Sequence, residues 1–277
     1  MDAGKILRAT AQRIPNKVAL ILLDRKVCFG ELDRLTDSLA TGLRDMGVSQ
    51  GDRIAFLLPN SIEFAVSFLA TLRLGAIAMP IDPRLKEKEL EAILRNGEAC
   101  TLITAGSFQA LAHSLSSHVS SLKNVVIVGG NTKENVSYEA LIEQFAGEPL
   151  KDAVEVKGED EAVCLYTSGT TGRPRGVILT FDHLDFFPDA IETFFGSGQE
   201  DVLAILLPMS HISGANLISL AILNGSTLVI LDTIRPDFIL GTIEKHRVNW
   251  FHGVPPIFQS LLKASDQSCH DTSSLRL

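Results

Sequence analysis

From residue 32 onward the apolar residues of this 277-residue chain keep changing period, and that alternation limits the fold more than any other feature of the sequence. Leu32, Leu35, Leu39 and Leu43 recur at helical spacing and mark a helix that ends at Gly47. An unbroken apolar run over 54–58 then reads as a buried strand, after which Ile62, Phe64, Ala65, Phe68, Leu69 and Leu72 return to helical spacing until Gly75. The pattern continues with strand 76–81, helix 87–95, strand 100–103, helix 108–115, strand 125–128 and helix 138–145. Strands 162–167 and 176–179 flank a glycine-rich stretch. Beyond it follow helix 181–195, strand 202–207, helix 215–223, strand 227–231, helix 236–246, strand 248–251 and helix 255–264. Strands separated by helices pair in parallel, so the expected class is α/β, with two subdomains of mostly parallel sheets flanked by helices.

The glycine-rich stretch carries the chemistry. Thr167-Ser-Gly-Thr-Thr-Gly-Arg-Pro-Arg-Gly176 places three glycines, four hydroxyl side chains and two arginines in ten residues. Glycines let backbone N–H groups turn toward an anion, hydroxyls add neutral donors, and cations offset negative charge, so such a segment suits a polyphosphate. It is not a P-loop, because Gly172 is followed by Arg173 and Pro174 instead of Lys-Ser/Thr; nor does it have the Gly-x-Gly-x-x-Gly spacing of a dinucleotide fingerprint. Taken alone, the composition also fits a plain turn joining two strands of a hairpin. His211 and Trp250 have two readings as well: a group at a strand end facing a cleft, or a structural side chain, with core packing favoured for Trp250. Alternation sends Trp250 and His252 to one face of their strand and Phe251 to the other.

The segment Tyr166-Thr-Ser-Gly-Thr-Thr-Gly-x-Pro-x-Gly-Val177 resembles the phosphate loop of the adenylate-forming superfamily, which includes acyl- and aryl-CoA synthetases, adenylation domains of peptide synthetases and beetle luciferases. It departs from that pattern at Arg175, where the family usually has Lys; Arg keeps the charge but adds a bulkier, planar fork of donors. Other segments are similar in the same order: Phe29-Gly-Glu-Leu-Asp-Arg-Leu, Gly47-Val-Ser-Gln-Gly-Asp-Arg, Asn60-Ser-Ile-Glu-Phe, Leu74-Gly-Ala-Ile-Ala-Met-Pro-Ile-Asp-Pro83, Leu207-Pro-Met-Ser-His-Ile-Ser-Gly214 and Val254-Pro-Pro-Ile-Phe. The resemblance implies that Ser168, Gly169, Thr170, Thr171, Gly172 and Arg175 surround the β- and γ-phosphates of ATP. It also implies that Thr167 is a Mg2+ ligand and that His211 lines the carboxylate site, while Arg173 is expected to be exposed.

That resemblance further implies the truncated N-terminal domain of an acyl-CoA synthetase fold. Residues 1–51 would pack on the second subdomain, 52–179 would form the first subdomain ending in the phosphate loop, and 180–277 would form an incomplete second one. The chain stops at Ser274-Leu-Arg-Leu277, just where the family continues into a Gly-Gly-Ala turn, so little or no ligase activity is expected of it alone. The implied reaction joins a carboxylate, a fatty acid for preference, to CoA through acyl-AMP, with ATP and Mg2+. Transfer to a carrier-protein thiol, or a non-catalytic nucleotide-binding module, are the alternatives. A missing second half would leave an apolar face through which the chain self-associates.

A formal charge of −8 argues against a nucleic-acid or anionic-membrane surface. Cys28, Cys100, Cys164 and Cys269 are too scattered for a disulfide framework or a metal pair; they fit buried small side chains in a reducing cytoplasm. Lys5, Arg8, Arg13 and Lys17 lie scattered through a helical pattern without the apolar core of a targeting signal. The most apolar stretch, 217–231, is interrupted by Asn224, Gly225, Ser226 and Thr227 and reads as helix, turn and strand, not as a membrane span.

Overall fold

The computed structural model describes residues 3–130, 135–150, 154–167, 174–265 and 270–276. The N-terminal part runs α1 (Ala3–Arg13), β1 (Val18–Leu22), β2 (Arg25–Cys28) and α2 (Phe29–Asp45). Next come β3 (Arg53–Leu57), α3 (Ile62–Arg73), β4 (Ile77–Pro80), α4 (Glu87–Asn96), β5 (Thr101–Ala105), α5 (Gln109–His118), β6 (Asn124–Val128), β7 (Val136–Ser137), α6 (Tyr138–Gln144), β8 (Glu161–Thr167) and β9 (Arg175–Thr180). The remainder is α7 (Phe181–Phe195), β10 (Val202–Ile205), α8 (Ile212–Asn224), β11 (Thr227–Ile230), α9 (Pro236–His246), β12 (Trp250–His252) and α10 (Pro255–Ser265). No helix among the described residues is long and apolar enough to cross a membrane.

Two sheets form. The larger has the order β7-β6-β5-β3-β4-β8-β9 and the smaller β12-β10-β11-β1-β2; pairing is parallel except for β8 with β9 and β1 with β2. Period-2 alternation explains how both are covered on two faces. In β3, Ile54 and Phe56 join an apolar core shared with the smaller sheet, while Ala55 and Leu57 face a second core under α4 and α5. In the smaller sheet Leu203 and Ile205 point to the shared core, and Ala204 points to a third core under α9 and α10. The molecule is therefore layered helix, sheet, helix, sheet, helix. Helix α3 lies in the middle layer with every residue but Glu63 buried, which is why most of its sequence is apolar and its one buried charge, Arg73, is paired. Ser61 starts it, its hydroxyl accepting the Phe64 N–H at 3.1 Å.

Several sequence expectations need correction. The N-terminal helical pattern stops at Arg13, leaving Lys17 outside it, and is followed by a β1–β2 hairpin that periodicity did not reveal. This hairpin puts β1 beside β11 in the smaller sheet. Helix 108–115 is a 3-10 turn at Gly106–Phe108 followed by α5, and helix 215–223 begins three residues earlier, where His211 caps it. Val136, expected in a surface connection, pairs with Val126 at a sheet edge. Cys164 is buried, but Cys28 and Cys100 are only half-buried; Cys269 lies outside the described residues. Trp250 packs partly buried on the shared core, edge-on to Phe195 with ring centroids 5.9 Å apart, and Phe251 enters the third core.

Candidate functional site

In an open α/β sheet, neighbouring strands whose chains leave toward opposite faces hold a crevice between their carboxyl ends. Strand β3 leaves to α3 in the middle layer and β4 to α4 in the outer layer, so the larger sheet has such a point between them. The carboxyl ends of the two sheets meet around a cavity of about 800 Å³. From the larger sheet come Pro80, Ile81 and Asp82 after β4 and Tyr166 near the end of β8; from the smaller come Leu207, Pro208, Ser210 and His211 after β10 and Val254 after β12. Leu85 and the α4 residues Lys88, Glu89, Ala92 and Ile93 close one side. Apolar walls with a few polar groups are the usual make-up of a small-molecule site.

The polar groups are held firmly. Arg84 grips Asp82 in a two-pronged contact, Nε to Oδ1 at 2.9 Å and Nη2 to Oδ2 at 2.7 Å, and these bonds keep the Asp82 carboxyl below its usual range. Tyr166 donates to Asn96 Oδ1 at 2.8 Å, and burial pushes its phenol up to about 12, so it stays a neutral donor at physiological pH. His211 caps α8: its Nδ1 stands 3.2 Å from Ser213 Oγ and 3.5 Å from Ser213 N. Gly214, one position on, lies so close to Met209 that a Cβ there would fall 2.1 Å from the Met209 carbonyl oxygen, which explains a glycine at this step.

His252 ends β12, the strand beside β10 from whose end His211 follows. Desolvation, and then the charge of His211, hold the His252 imidazole below its usual range. Unfolded, such a ring takes up its proton near pH 6.5. Between that pH and the lower folded value the unfolded chain binds more protons, so the contribution of His252 to stability is present above about pH 6.5 and is lost as pH falls through this window. An NMR titration of the His252 ring should give a midpoint below that of a model peptide; an equal or higher midpoint contradicts the assignment.

Of the residues singled out from sequence, Ser168, Gly169, Thr170, Thr171 and Gly172 lie outside the described residues, as does Arg173. Thr167 ends β8, and its backbone pairs with Arg175 in β9; Arg175 is exposed. The residues on either side of this pair, Tyr166 and Pro174, both line the cavity, and so does His211. Sequence reasoning did not pick out Tyr166, Asp82, Arg84, Lys88 or Asn60. Asn60, Asp82 and Tyr166 lay within motifs already singled out, while Arg84 and Lys88 carried no signal beyond their charge.

Comparison with known proteins follows the same lines. The sequence pattern of the family described as AMP-binding enzyme matches residues 7–277. The chain is 32% identical over 251 residues to the 4-coumarate–CoA ligase-like 3 of Oryza sativa subsp. japonica, covering 85% of this chain and 42% of that protein. It is 29% identical over 276 residues to the medium-chain fatty-acid–CoA ligase of Escherichia coli (strain K12), covering 96% and 48%. An inhibitor-bound crystal structure of the N-terminal domain of FACL13 from Mycobacterium tuberculosis superposes with a TM-score of 0.90 at 25% identity, covering 99% of this chain and 68% of that one. The chain spans about half the length of the curated relatives it matches.

Proposed function

Since this chain belongs to the AMP-binding enzyme family, we propose that it supplies the nucleotide loop and a wall of the carboxylate site of a ligase that joins a carboxylic acid to the thiol of CoA with cleavage of ATP. The observation that carries this reading is the cavity at the joined carboxyl ends of the two sheets, with the strand leading into the Thr167–Gly176 motif on its rim. In the first step a carboxylate oxygen attacks the α-phosphorus of ATP, the bond from that phosphorus to the bridging oxygen breaks, and acyl-AMP and pyrophosphate form. In the second the thiol sulfur attacks the acyl carbon, AMP leaves with the electron pair of the C–O bond, and the thiol proton passes to solvent. Both steps depend mainly on positioning and on offsetting phosphate charge.

Ser168, Gly169, Thr170, Thr171 and Gly172 would turn donors toward the β- and γ-phosphates, with Arg175 as their cation and His211 beside the carboxylate. The described residues contain no cluster of three or more His, Cys, Asp or Glu side chains able to hold a metal ion. Mg2+ would be held by Thr167 from this chain together with the nucleotide's phosphates, whose charge it offsets. A fatty acid or another apolar carboxylate suits a wall of Ile81, Leu85, Ile93, Leu207 and Val254. Sheet membership supports a division into 1–51, 52–179 and 180–277, with the first segment adding β1 and β2 to the sheet of the third. The three thiols of Cys28, Cys100 and Cys164 are free, in keeping with a reducing cytoplasm.

Since the relatives carry about as much chain again, the 277 residues alone are expected to form little or no acyl-AMP, and ligand binding is the direct test. Calorimetric titration of Mg-ATP should show binding that Arg175→Ala weakens roughly three- to tenfold, the value of one partly solvated charge-assisted contact. Equal affinity in both proteins removes Arg175 from the phosphate site, and no binding in either overturns the nucleotide reading for this chain.

A further inference from the structure

The smaller sheet has its own crevice, between β10, whose chain leaves to α8 in the middle layer, and β11, whose chain leaves to α9 in the outer layer. A side chain from the other sheet occupies it. Asn60, in the link between β3 and α3, donates from Nδ2 to the Leu207 carbonyl at 3.1 Å and to the Leu231 carbonyl at 3.1 Å, one just beyond each of these two strands. Its Oδ1 accepts the Met209 N–H at 2.7 Å. A third carbonyl, that of Leu206, stands 3.4 Å from the same nitrogen. Three carbonyls around one end of the amide and an N–H at the other leave a single orientation for it, because the flipped amide would set oxygen against oxygen.

We propose that Asn60 is the positioning residue of the cavity: it fixes the 207–211 segment of the smaller sheet against the larger one and thereby sets where His211 stands. Asn60 is itself held, because the next residue, Ser61, caps the buried helix α3. Met209 is 1% exposed, so its side chain is locked in the shared core while its amide is locked by Asn60. The backbone then turns tightly, His211 N–H bonding the Pro208 carbonyl at 3.0 Å and Gly214 N–H the His211 carbonyl at 2.9 Å. From Asn60 to the imidazole there is thus no freely rotating link in the backbone. The consequence for substrate rests on the cavity being the carboxylate site, as proposed above; the positional claim does not.

The test needs no ligand, so it stands apart from the nucleotide titration. With the chain labelled at histidine, the ring signals of His211 and His252 in Asn60→Ala should move, while those of His113 and His118, on α5 in the outer layer, stay in place. The Met209 amide should exchange with solvent roughly tenfold faster in the variant, the loss of one buried hydrogen bond. Asn60→Asp, which keeps the shape and the acceptor for Met209 but sets a carboxylate against the carbonyls, serves if the alanine variant does not fold, and should move the same two histidines. If all four histidines shift alike, or His211 does not shift, Asn60 has only a general structural role. In the unsubstituted protein, a Met209 amide exchanging like that of an unstructured peptide would overturn the proposal without any variant.

Discussion

Arg73→Ala will unfold this protein at markedly lower denaturant than the unsubstituted chain, with a loss of roughly 2–3 kcal/mol, the cost of removing charge-assisted hydrogen bonds from two largely buried carboxylates that retain Arg8. Arg73 is the last residue of α3 and is 7% exposed. Its guanidinium binds Asp37 Oδ1 at 2.7 Å and Asp33 Oδ1 at 2.6 Å, and also the carbonyls of Asp33 and Gly4, each at 3.1 Å. Asp33 and Asp37 are four residues apart on α2, so one planar fork reaches both. Arg8 of α1 reaches the same two carboxylates from a more exposed position, and it cannot replace the lost contacts. Three helices of the middle layer are therefore tied at one point. Arg73→Lys should recover less than half of the loss, because a single ammonium cannot span four acceptors in this geometry. Chemical denaturation decides the matter: a change under about 1 kcal/mol for the alanine variant would mean that the pair behaves as a surface ion pair.

The second large effect is expected at Gly214. An alanine Cβ there would lie 2.1 Å from the Met209 carbonyl oxygen and 2.6 Å from its Cα, both backbone atoms that no rotamer change can move. The turn from 209 to 214 must open, at a cost on the order of 3 kcal/mol, or roughly 6–12 °C in Tm for a chain of this size. The same opening pulls Met209 from Asn60 and carries His211 away from the cavity, so affinity for an apolar carboxylate or its adenylate should fall with stability. Gly198→Ala is the control, since a Cβ at that position meets nothing within 4 Å. Thermal melts of the two variants should differ clearly; coincident melts would refute the packing reading of Gly214.

Much of the fold is legible in the sequence because most of its elements are local periodic signals. Helix α9 begins at the Pro236 and ends at the His246 that spacing and a first-turn proline indicate, and β3, β5 and β6 fall within two residues of their apolar runs. The β1–β2 hairpin escaped because β2 is a four-residue edge strand with Arg25 and Lys26 exposed, a pattern that resembles a surface loop. For the site, the composition of the glycine- and hydroxyl-rich motif fits a phosphate loop and a plain turn alike, and its resemblance to a family phosphate loop is what separates the two. The role of Asn60 is not legible in the sequence, since its partners are backbone groups 147 to 171 residues away, and any residue type could stand at Leu207 or Leu231 without altering them.

By itself, then, the sequence determined the α/β class and the approximate extent of most helices and strands, which follow from the order of neighbouring side chains that short-range sterics and solvation read directly; the family was legible only through the resemblance of its phosphate motif to known proteins. Tertiary structure alone decided that two sheets share a middle layer of helices, that the N-terminal segment meets the smaller sheet as a strand paired with β11, and that one asparagine bridges two strand ends of the opposite sheet. Those outcomes depend on burying both faces of each sheet at once and on satisfying backbone groups far apart in the chain, and no local pattern records which distant partners will meet.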